Sequence, residues 1–143
     1  MGELLAGACV AAWLIALSLY DIRRRRLPNW LTLPGAVAIL LAAALTGHGL
    51  PALAGAAALF AIYAVIHLTR PAAMGAGDAK LALGLGALTG AFGVDIWLLA
   101  ALAGPLVTAL WALVPAATGP GRTVPHGPSM CLASVAAVAL MWW

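Results

Sequence analysis

Charge is the scarcest resource in this sequence. Four acids and seven lysines or arginines occur in 143 residues, so 8% of positions are charged against 65% hydrophobic. A soluble domain is about half apolar, and this chain has too few charges to cover a surface facing water. With a mean hydropathy of +1.08, it reads as an integral membrane protein. Cysteine is equally thin. Cys9 and Cys131 each stand alone in an apolar stretch. That spacing excludes a paired-cysteine zinc site and a disulfide framework, and both read as buried, reduced and inert. His48, His67 and His126 share no metal-ligand spacing, so no metal and no cofactor is expected.

What the sequence does have is apolar runs. At about 20 residues per membrane-crossing helix, the chain has room for about six spans with short loops and no separate soluble domain. Residues 1–143 therefore read as one all-α transmembrane bundle. The runs fall at about 4–20, 30–45, 52–68, 78–92, 96–117 and 128–143. Gly86 and Gly90 place small residues one turn apart in the fourth run, a pattern that permits close helix packing in lipid. Pro105 is expected to kink or open the fifth.

The basic residues test this parse. The arginines at 23–26 follow the first run, Arg70 and Lys80 lie between the third and fourth, and Arg122 lies between the fifth and sixth. Six spans put all seven on one face, which the positive-inside rule makes cytoplasmic. Between two apolar runs, the arginine block reads as a topology signal rather than a nucleic-acid contact, despite the net charge of +3. Glu3 precedes the first run and the arginines follow it, the reverse of a secretory signal. The first helix is thus expected to be retained, with its N-terminus outside.

Few polar residues remain to carry chemistry. Glu3 is near a terminus, and Asp95 in "GVD" reads as a helix cap on the outer face. Asp21 and Asp78 differ, because the parse puts both at the same depth on the cytoplasmic side. Each has a structural reading. Asp21 could pair with Arg24 or Arg25, three and four residues on, and Asp78 could cap its helix. Taken together they fit proton-transfer chemistry. Two adjacent carboxyl groups share a proton. One can then take a proton from an attacking water while the other gives one to a peptide carbonyl. That role needs the carboxyls within one bridging water, roughly 3 to 7 Å apart, as hydrogen-bond reach dictates. Gly75 and Gly77 would offer a flexible, side-chain-free approach to Asp78. Lys80, two residues beyond Asp78, does not share its helix face; it is placed to contact substrate, lipid phosphate or another helix.

At these residues the sequence resembles the type IV prepilin peptidases, which are GxGD aspartic membrane proteases. "GAGDAK" at 75–80 is similar to the family's GxGD motif with its following lysine. "DIRRRRLPN" at 21–29 resembles the segment of the first catalytic aspartate, with Pro28 and Asn29 as its Pro-Asn turn. "VPHGPSMCLAS" at 124–134, containing Pro125, Gly127 and Pro128, resembles the entry to the final helix. The resemblance implies a peptidase of the bacterial plasma membrane with catalytic Asp21 and Asp78. It would cut basic leaders from prepilins or pseudopilins at the cytoplasmic face. Larger members carry paired cysteines linked to N-methylation, and this sequence has none. It is therefore closer to the short Flp/Tad-type enzymes. Two other classes compete: a non-catalytic membrane component of a pilus or secretion apparatus, and a small transporter using the two acids as a proton relay. A relay favours the bilayer midplane, whereas these acids read as lying at one rim. Oligomeric state is not encoded in any of these features.

Overall fold

A computed structural model describes residues 1–114 and 123–143, apart from the side chain of Trp142. The described residues form six α-helices: α1 Gly2–Arg24, α2 Asn29–Leu45, α3 Gly49–Thr69, α4 Ala76–Ala91, α5 Val94–Ala112 and α6 His126–Ala139. A 3-10 turn, Leu140–Trp142, follows α6, and no strand occurs among the described residues. Each apolar run thus becomes a helix. α1 extends further than its run suggests, so Asp21 lies within the helix rather than just beyond it. α5 closes at Ala112; position 117 and Arg122 lie outside the described residues.

Three helices, α1, α3 and α5, are long and apolar enough to cross a membrane. α2 and α6 are apolar but shorter, with 17 and 14 residues, and α4 has 16. The outer faces carry large apolar side chains, including Leu4, Ile15, Leu41, Leu53, Val65, Leu102 and Leu106. Such a surface suits hydrocarbon and not water. Cys9 lies on it. It is exposed, not buried as its apolar neighbours suggest, because α1 turns that face away from the bundle; Cys131 is buried.

α4 is the centre of the bundle and packs against α2, α3, α5 and α6. Its sequence, AGDAKLALGLGALTGA, explains why. Small side chains on most faces let neighbouring backbones approach, which is how helices associate in lipid. A Cβ on Gly86 would lie 2.5 Å from the Gly55 carbonyl oxygen, and one on Gly90 would lie 2.7 Å from that of Pro51. α3 and α4 therefore meet backbone to backbone. On the other side, the Trp13 ring of α1 fills the space left by Gly35 of α2 and Gly84 of α4. Its Nε1–H donates to the Leu31 carbonyl at 2.8 Å.

α5 is one continuous helix with Pro105 inside it, packed along α6. Asp95 is not the cap of α5 but lies in its first turn behind Gly93, where a negative charge still suits the helix dipole.

Candidate active site

α1 buries a stripe of Leu14, Leu17 and Asp21, the three-to-four-residue spacing of one helix face. The stripe faces α6 and carries an acid as its last member. Asp21 is only 7% exposed, so its carboxylate needs a partner. That partner is the Gly127 N–H in the first turn of α6, which donates to Asp21 Oδ2 at 2.9 Å. It is one of the donors that a helix N-terminus leaves free. Of the two arginines open to Asp21 in sequence, Arg25 acts on it through its charge, without a hydrogen bond to it. Arg24 is exposed, and the Arg25 guanidinium turns to the carbonyl and hydroxyl of Thr123, with Oγ1 at 2.8 Å.

Asp78 is the third residue of α4, behind Gly75 at the N-cap. Its N–H donates to the Gly75 carbonyl at 3.2 Å. The two carboxyl groups, contributed by α1 and α4, are near enough for the charge of one to act on the other. The Cys131 thiol lies within electrostatic reach of both.

The remaining motif residues assemble this end of the bundle. Pro28 is the N-cap of α2, and its carbonyl accepts from the N–H groups of Leu31 and Thr32, both at 3.1 Å. Lys80 Nζ donates to Asn29 Oδ1 at 2.8 Å, so of its possible contacts the structure provides the one to another helix. Pro125 is the N-cap of α6. Pro128 lies in the first turn, where a missing N–H leaves no helical bond unmade. The two GAGD glycines sit in different settings. Gly77 is inside α4, and a Cβ there would lie 3.1 Å from Leu27 Cβ. It is small because α4 packs against the turn into α2. Gly75 is exposed, and a Cβ there would meet only Asp78 Oδ2, at 3.6 Å.

Several residues at this end escape sequence reasoning. His67 Nδ1 lies 2.7 Å from the Met74 carbonyl, anchoring the segment before Gly75 to the end of α3. Tyr63, Thr108 and His126 make mutual contacts behind the aspartates. The signal for Tyr63 in sequence is scarcity, since it is one of two tyrosines. His126 reads in sequence only as a candidate metal ligand.

A model of the type IV leader peptidase family matches residues 8–113. The match includes both aspartates and the GAGD segment, and ends before the 124–134 segment. No curated protein matches the chain, and no solved structure does.

Proposed function

Because the chain belongs to the type IV leader peptidase family, we propose that it is an aspartic endopeptidase removing leaders from Flp/Tad-like prepilins or pseudopilins. It works at the cytoplasmic face of the bacterial inner membrane, with six spans and the N-terminus outside, and without N-methylating its product. One observation carries the reading: two carboxyl groups far apart in sequence, Asp21 and Asp78, interact at one end of the bundle.

Like charges held together resist double ionisation, so the pair keeps one proton. The ionised carboxylate takes a proton from water as the water oxygen attacks the scissile carbonyl carbon. The protonated carboxyl gives its proton to the carbonyl oxygen, forming a tetrahedral diol. Collapse of the diol breaks the carbon–nitrogen bond. The leaving amine takes the proton gained from water, and a diol hydroxyl returns one to the dyad. The backbone donor at Gly127 keeps the Asp21 carboxyl oriented through these steps, which general acid–base catalysis requires.

Co-expression with a candidate prepilin, scored for leader removal, tests the reading. Asp21→Asn and Asp78→Asn should each abolish cleavage with membrane insertion intact, because an amide cannot relay the proton. Asp95→Asn should cleave like the parent. Cleavage at parental rate by Asp21→Asn would overturn the two-aspartate mechanism and leave the acids a structural role.

A further inference from the structure

Tyr63 of α3, Thr108 of α5 and His126 of α6 form a hydrogen-bonded chain that the proposed mechanism leaves unused. Tyr63 Oη lies 2.9 Å from His126 Nε2, and Thr108 Oγ1 lies 2.6 Å from His126 Nδ1. The Thr108 hydroxyl also reaches the Gly104 carbonyl one turn back, at 3.1 Å. One arrangement of hydrogens satisfies all three contacts. A threonine hydroxyl has a single hydrogen; given to Gly104, it leaves Thr108 Oγ1 to accept from Nδ1–H. The neutral ring then offers its Nε2 lone pair to the Tyr63 O–H. Tyr63 is buried, so losing this partner strands a polar group away from water. His126 immediately precedes Gly127, the donor to Asp21.

We propose that His126 is a positioning residue, held at both ring nitrogens by α3 and α5 so that the first turn of α6 keeps the Gly127 N–H on Asp21. The geometric claim stands by itself; its effect on turnover rests on the peptidase reading.

Two measurements test it. In selectively 15N-glycine-labelled protein in detergent micelles, the Gly127 amide should exchange at least tenfold faster in His126→Phe, which keeps a ring but loses both bonds. Gly86, at the α3–α4 contact, should exchange as in the parent. Unchanged Gly127 exchange would overturn the proposal, and so would equal acceleration at Gly86, which would mean general loosening. In leader cleavage, His126→Phe should lower kcat about tenfold with KM within twofold of the parent. Adding Tyr63→Phe should lower kcat no further, because members of one unit are not additive. Losses that multiply, or a change in KM alone, would count against it. Should His126→Phe fail to fold, Tyr63→Phe and Thr108→Val each remove a single bond and are read the same way. If the parent cleaves no prepilin, the peptidase reading fails while the Gly127 exchange still decides this one.

Discussion

A Cβ on Gly127 would lie 2.6 Å from Asp21 Oδ2, closer than any real contact allows. Even alanine must push the carboxylate or the first turn of α6 aside. A displacement of about 1 Å at a catalytic group costs about 100-fold in rate. Gly127→Ala is therefore expected to reduce cleavage by about that factor, with the protein still folded and inserted. Cleavage rates beside thermal unfolding in detergent check this. Lys80 is the second residue-scale case. Its hydrogen bond to Asn29 joins the start of α4 to the start of α2, and a bond of this kind contributes about 1 kcal/mol. Lys80→Gln and Asn29→Ala should each slow cleavage several-fold, and the double variant should be no slower than either. If Lys80→Gln alone is slow, Lys80 docks substrate instead.

α3 and α4 hold together by close approach of their backbones. Gly55, Gly86 and Gly90 are the points where α3 and α4 touch, and a methyl group at any of them overpacks the contact. Gly86→Ala should lower stability by about 1–3 kcal/mol, the usual cost of overpacking. Gly7 provides the contrast, since a Cβ there meets nothing within 4 Å. Gly7→Ala should be neutral or raise stability by about 0.5–1 kcal/mol, the helix-interior difference between glycine and alanine. Thermal unfolding of both variants in the same detergent gives the comparison. The site itself is made of helix ends. α1 finishes where α4 and α6 begin, so a free N-terminal donor of α6 meets the acid of α1.

For the whole molecule, the described contacts gather Arg25, Asn29, His67, Lys80 and Thr123 at one end. Asp95 lies at the other, beside the Trp97–Gly55 contact between α5 and α3. By the positive-inside rule, the basic end is the one expected on the cytoplasmic side. His48 and Ala72 flank the two ends of α3 and are exposed, and α3 has 21 residues. At about 1.5 Å per residue it matches a hydrocarbon core of about 30 Å. In a Cys9→Ser background, Ala72→Cys should react with an impermeant thiol reagent only after the cytoplasmic side is opened. His48→Cys should react from outside. The reverse pattern would invert the molecule and place the aspartates on the outer face.

The helices and the acids were legible in sequence because both depend on local composition. An apolar run bounded by Gly, Pro or Arg is a helix in lipid wherever its neighbours lie, since its backbone must bond internally. Asp21 and Asp78 stood out because the sequence holds only four acids and the charge pattern puts these two at one depth. Arrangement was not legible. Length and hydropathy together single out α1, α3 and α5, whereas α4, with only 16 residues, is the helix buried on most sides. The reason is that apolar side chains gain little by leaving lipid for protein, so hydrophobicity does not draw helices together in a bilayer. Close packing of small residues does, and Gly and Ala are too common here to mark which of them touch. The Gly127 donor on Asp21, the Leu27 contact of Gly77 and the Tyr63–His126–Thr108 chain join helices distant in sequence. Composition determined which segments are helical and which acids are candidates; the crossing of those helices alone decided which donor meets which acid.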